Sequence, residues 1–198
     1  MRIALITTLQ HNPGDDFVRD GIKYLLKQQL GESSVSFQAI HKHAPITSRY
    51  GFGNVRKLNR FKTLDLRLPL HFTRDKILQA DLVVQCGAPI YWCHDHVNSH
   101  CCDNEWYEPL IKRRFLHNEN ARFLNIAGGS CQTFYSDGSE FCPNCLAYIA
   151  ELFDHASLTI LREPLALDIL ERAARSAPVF PCTSLFAGDE YEIQSQPG

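Results

Sequence analysis

Long apolar runs are missing from this chain of 198 residues. None approaches the roughly 18 consecutive apolar residues that suggest a membrane-spanning helix, so no membrane span is expected. A large excess of charge of either sign is missing as well. The formal net charge of −2 leaves no bulk electrostatic reason for a nucleic-acid partner, whose footprint is a strongly basic domain. Neither a G-x-G-x-x-G fingerprint nor a Walker loop occurs, so the usual phosphate-cradling signatures are lacking. Internal repeats and low-complexity tracts are absent. A secretory leader is not expected: Arg2 precedes the apolar Ile3-Ala4-Leu5-Ile6, but that run stops at Thr7-Thr8 without a cleavage site and reads as a buried strand. Eight cysteines without such a leader fit reduced thiols or a metal site better than a disulfide framework, and the expected compartment is the cytoplasm.

What is present describes a globular α/β chain. A hydrophobic fraction of 44% with 21% charged residues is ordinary for a folded domain, and this length buries roughly 70% of the extended-chain surface, so no staple is needed. Apolar runs at Ile3 to Thr7, Val35 to Ile40, Leu82 to Cys86, Phe123 to Ala127, Leu158 to Leu161 and Val179 to Phe180 alternate with segments of helical period. That alternation predicts an open, mostly parallel, doubly wound sheet with helices on both faces. The clearest helix runs from Asp16 to Leu30, with Phe17, Val18, Gly21, Ile22, Leu25, Leu26 and Leu30 along one face, a cap at Asp15 or Asp16, and Gly31 as its left-handed terminator. A second starts with Pro164 and gains Asp168 to Arg172 and Glu171 to Arg175 pairs. One domain over residues 1–187 and a frayed polar tail over 188–198 are expected. The stretch from Lys42 to Lys76 is poorly periodic and carries nine basic residues against Asp65 and Asp75, with Tyr50, Phe52, Phe61 and Phe72 among them. It reads either as a solvated surface or as part of a ligand wall.

Ligands of open parallel sheets bind beyond the carboxyl ends of the strands, which directs attention to the residues following each run. The first is followed by Asn12-Pro13-Gly14-Asp15-Asp16, the third by Gly87-Ala88-Pro89, the fourth by Gly128-Gly129-Ser130 and the fifth by Arg162-Glu163-Pro164. Helix amino termini and glycine loops offer unpaired backbone N–H groups to anions or sugar hydroxyls. Asp15 and Asp16 either cap the helix or bind hydroxyls, and the paired glycines either cradle a ligand or make a tight turn. Arg162, at a strand end and outside any helix face, either meets an anionic ligand or forms a structural salt bridge.

Cysteine and histidine cluster in two places. Cys93, His94, His96, His100, Cys101 and Cys102 share one segment, and Cys131 precedes the single C-x-x-C, Cys142-Pro143-Asn144-Cys145. Cys131, Cys142 and Cys145 are candidate zinc ligands, expected to approach one another or a residue of the earlier segment. A redox pair and inert loop thiols are the other readings, and no organic cofactor is expected.

Taken in order, the strand-end pieces resemble those of the polysaccharide pyruvyl transferase family. They are Ile3 to Thr8 followed by Asn12-Pro13-Gly14-Asp15-Asp16, Asp81 to Pro89, Ala127 to Ser130, Leu158 to Ala166 and Cys182 to Ala187. The resemblance spans residues 1–187 and is similar to the amino-terminal half of such proteins. It implies one half of a B-type glycosyltransferase fold and transfer of pyruvate, as a ketal, from phosphoenolpyruvate to hydroxyls of a carbohydrate acceptor in exopolysaccharide biosynthesis. It implies Arg162 and Asp15 as catalytic residues, with Asn12, Gly14, Asp16, Gly87, Pro89, Gly128, Gly129, Ser130 and Glu163 bordering the substrate cleft. It further implies that the remaining donor-site groups belong to a second α/β half, beyond this chain.

Overall fold

The computed structural model describes residues 1–9, 12–41, 79–91, 93, 122–130, 132 and 135–191. Strands β1 (Arg2–Thr7), β2 (Ser36–His41), β3 (Leu82–Tyr91), β4 (Arg122–Ser130) and β5 (Leu158–Leu161) form one sheet in the order β2-β1-β3-β4-β5. Every neighbouring pair is parallel, so the protein is an open, doubly wound α/β sheet whose order reverses between β1 and β3. The run at Val179 contributes one parallel bridge to Leu161 and no strand of its own.

Two apolar layers follow from the period of two along each strand. Ile3, Leu5, Leu82 and Val84 pack on one face with Val18 and Ile22 of α1 (Pro13–Leu30). Ala4, Ile6, Val83 and Phe123 pack on the other, against Ile149 and Leu152 of α2 (Pro143–His155) and Ala166, Ile169 and Leu170 of α3 (Pro164–Arg172). Because both faces are covered, the strands are apolar on both sides. Among the described residues, no helix is long and apolar enough to cross a membrane.

Several local expectations need correction. Helix α1 begins at Pro13, not Asp16, because Asn12 is the cap: its Oδ1 accepts from the Gly14 N–H at 3.0 Å and Pro13 supplies a preset φ. Strands β3 and β4 run on through Gly87-Ala88-Pro89 and Gly128-Gly129-Ser130, which pair with each other (Ala88 with Gly128, Pro89 with Gly129) in place of forming turns. The expected Asp168–Arg172 and Glu171–Arg175 pairs give way to others. Arg172 reaches the Asp137 carbonyl at 3.1 Å, and Arg175 grips Asp154 through two bonds of 2.7 and 2.6 Å. Helix α3 stops at Arg172, so Arg175 no longer lies one turn above Glu171.

The carboxyl-terminal segment is docked, not frayed, as far as Tyr191. A 3₁₀ turn (Thr183–Phe186) leads into α4 (Ala187–Glu190), whose Glu190 accepts from Lys23 at 2.9 Å and Lys27 at 2.8 Å. Tyr191 donates to Asp20 at 2.6 Å, and Thr183 Oγ1 donates to the Val18 carbonyl at 3.1 Å. The basic and aromatic stretch from Lys42 to Lys76 and residues 192–198 lie outside the described residues.

Candidate functional site

A cavity of about 420 Å³ opens where the carboxyl ends of β4 and β5 meet the start of α1. Asn12, Gly14 and Asp15 line it from the helix, Ser130 from the end of β4 and Arg162 from the end of β5. Phe17 and Val18 extend the helix wall, and Cys182 and Ser184 close the side formed by the carboxyl-terminal segment.

The backbone of β4 and β5 aims Arg162 into this space. Its N–H donates to the Gly128 carbonyl at 3.0 Å, which prolongs the ladder one residue past Leu161. Its guanidinium lies against Gly129, where a Cβ would stand only 2.5 Å from Nε, so a side chain there would push the guanidinium aside. Just before, Ala127 adopts φ +58° at the register shift between Ile126 and Gly128, a left-handed backbone that a non-glycine residue takes at a cost of order 1–3 kcal/mol. The irregularity precedes Gly128 and Gly129, and Ser130 at the end of β4 reaches the cavity.

Glu163 does not line the cavity. Its carboxylate accepts from the Ser130 N–H, joining the ends of β4 and β5. Ser130 Oγ in turn accepts from the Gln132 N–H at 3.1 Å. Asp16 pairs with Arg19 and also lies off the lining. Gly87 lies against Val18 of α1, and Pro89 occupies a ladder position opposite Gly129. Among the sequence-derived candidates the fold therefore gathers Asn12, Gly14, Asp15, Ser130 and Arg162 at one cavity, with Gly128, Gly129 and Glu163 supporting them.

Two opposite charges open on this cavity. Among the described residues, neither the Asp15 carboxylate nor the Arg162 guanidinium has a hydrogen-bond or ion-pair partner, although Asp15 is only 4% exposed. An arginine and a carboxylate that face one cavity without meeting each other suit a ligand that offers an anionic group to one and a hydroxyl to the other.

Sequence reasoning missed Phe17, Val18, Cys182 and Ser184 as lining residues. Phe17 fits the apolar face of α1 by spacing, yet it is 54% exposed at the cavity rim. Its place right after the first turn, near the polar loop, is the signal that separates it from the core positions.

A second constellation lies at the other sheet face. The Sγ atoms of Cys93, Cys142 and Cys145 all fall within 4.8 Å of one another. Cys142 caps α2, its sulfur accepting from the Cys145 N–H at 3.4 Å. Cys131 and the residues from His94 to Cys102 lie outside the described residues, so among the described ones the third thiol is Cys93.

No family model matches the chain, and no curated protein matches it. Among solved structures it is similar to pyridoxal kinase from Leishmania donovani, in complex with ADP and pyridoxamine (TM-score 0.38) and with ADP and ginkgotoxin (TM-score 0.37). Each is 12% identical, and the match covers 96% of this chain but 58% of the kinase chain.

Proposed function

We propose that this cavity binds phosphoenolpyruvate beside a sugar hydroxyl, and that the protein serves pyruvyl transfer to a carbohydrate, as the resemblance of its strand-end loops implies. The observation that carries the reading is the pair of uncompensated charges, Arg162 and buried Asp15, on one cavity at the carboxyl edge of the sheet. In this reading Arg162 holds the donor's carboxylate or phosphate through its planar fork. Asp15 accepts the proton of an attacking hydroxyl. Exposed Phe17 offers an apolar face for a sugar ring.

In the overall reaction two sugar hydroxyls bond to C2 of the enolpyruvate, C3 gains a proton, and the C2–O bond to phosphate breaks. One hydroxyl proton ends on C3 and the other on phosphate. The general acid for C3 would belong to a second α/β half, and so would the remaining anion-binding groups. We place the reaction in the cytoplasm, where thiols such as the five described cysteines, none in a disulfide, persist.

Calorimetric titration with phosphoenolpyruvate tests the reading. Wild-type chain should bind, Arg162→Ala should weaken binding about ten- to a hundred-fold, from a lost charge-assisted contact of about 1.5–3 kcal/mol, and Arg162→Lys should recover only part of it. Unfolding midpoints should stay together, since the guanidinium has no described partner to lose. Equal affinity in wild type and Arg162→Ala would end the assignment. Binding without phosphate release on adding acceptor and the second half would leave a binding module in place of a transferase.

A further inference from the structure

We propose that Cys93, Cys142 and Cys145 bind a single zinc ion that joins the end of β3 to the amino terminus of α2. Three sulfurs converge from two separate parts of the chain. Cys142 and Cys145 come from the C-x-x-C that opens α2, and Cys93 from just past β3.

Spacing favours one ion. Zn–S bonds of about 2.3 Å in a tetrahedron place sulfurs about 3.8 Å apart. The observed atoms lie within 4.8 Å of one another, so small side-chain rotations close the difference. An iron–sulfur cluster spreads its thiolates around several irons and needs a wider cage. Cys142 sits at the amino terminus of the 13-residue α2, and its sulfur accepts from the Cys145 N–H at 3.4 Å, which fixes the two thiols of the C-x-x-C relative to each other.

The surroundings support a fixed site. Cys145 is 1% and Cys93 7% exposed, within the apolar layer that also holds Phe141 and Ile149. A thiol-exchange pair uses two sulfurs, whereas here Cys93 brings a third within 4.8 Å of both members of the C-x-x-C. Around the cluster the Cys93 N–H donates to Gln132 Oε1 at 3.2 Å, and Gln132 Nε2 donates to Glu140 at 2.8 Å. Ser136 donates to the same carboxylate. This chain of bonds ties the segment before α2 to the residue after β3, as outer partners do around structural ions. Three thiolates leave a fourth coordination position for water or another donor.

The test is metal content. Chain purified without chelator should carry about one zinc per molecule by mass spectrometry of the metal. Replacement by cobalt(II) should give intense sulfur-to-metal charge-transfer bands in the near ultraviolet and visible bands typical of tetrahedral coordination. Cys93→Ser and Cys145→Ser should lose most of the metal, while Cys86→Ala, buried in the opposite layer, should keep it. Should a serine variant fail to fold, alkylation mapping of the wild type serves instead, with Cys93, Cys142 and Cys145 protected until zinc is chelated. A metal-free chain with fully reduced thiols, zinc retained in both serine variants, no protection of the three thiols, or a Cys142–Cys145 disulfide would each overturn the site.

Discussion

Asp15 and Asp20 stand on the same helix, 4% and 3% exposed, and differ in their company. Asp20 accepts from Tyr191 at 2.6 Å and from Arg19 at 3.1 and 3.2 Å, with Lys23 at 3.4 Å. Asp15 faces the cavity with no described partner. Equal burial thus has two meanings within one helix. The middle of α1 uses charge to hold the carboxyl-terminal segment, and its first turn holds charge in reserve, across a cavity from an arginine in the same condition.

Truncating each aspartate separates these roles most sharply. Asp20→Ala leaves Tyr191 without its acceptor and Arg19 with Asp16 alone, and should cost about 2–4 kcal/mol in urea unfolding, from the hydrogen bonds lost at a buried carboxylate. Asp15→Ala removes a carboxylate that has no described partner and opens on the cavity, and should change stability by less than about 0.5 kcal/mol. Similar losses from the two variants would erase the distinction.

A steric change at the same seam should have the next largest effect. A Cβ at Gly21 would stand 1.7 Å from the Thr183 carbonyl oxygen, which is backbone and cannot swing aside. Alanine is otherwise the better helix former by about 1 kcal/mol. Gly21→Ala should nonetheless destabilise by about 1–3 kcal/mol or more, and should free the segment from Thr183 to Tyr191 for proteolysis. A gain in stability would show that the segment does not dock as described.

Acid should loosen the seam more gently. Burial alone would raise the Asp20 and Glu190 carboxyls, but hydrogen bonds to Asp20 from Tyr191 and Arg19, and to Glu190 from Lys27 and Lys23, outweigh it and hold both below their ordinary values of 3.8 and 4.5. Groups lowered by folding stabilise above the unfolded value and lose that contribution as pH falls through the folded one. The urea midpoint should therefore fall as pH drops below about 4, and Glu190→Gln should flatten that slope. An unchanged slope in the variant would assign the acid sensitivity elsewhere.

Much of the fold was legible because strand and helix patterns need only neighbours in sequence. The five described strands start within one residue of their expected runs, since Ile3, Val83, Phe123 and Thr159 alternate or cluster as buried strand residues must. The ends were harder. Asn12 caps α1 in place of Asp15 because Pro13 already fits the first helical position, and glycines read as turns became ladder residues once β3 and β4 lay side by side.

The covered parallel sheet was therefore determined by the sequence alone, as was the polar character of the residues at the carboxyl ends of its strands. Tertiary structure decided which of those residues face a shared space and which charges remain uncompensated. Asp20 is satisfied by Tyr191, 171 positions away, and Cys142 and Cys145 meet Cys93 where the start of α2 approaches the residue past β3. Such pairings arise from crossovers that bring distant segments together, whereas periodicity records only whether a position is buried.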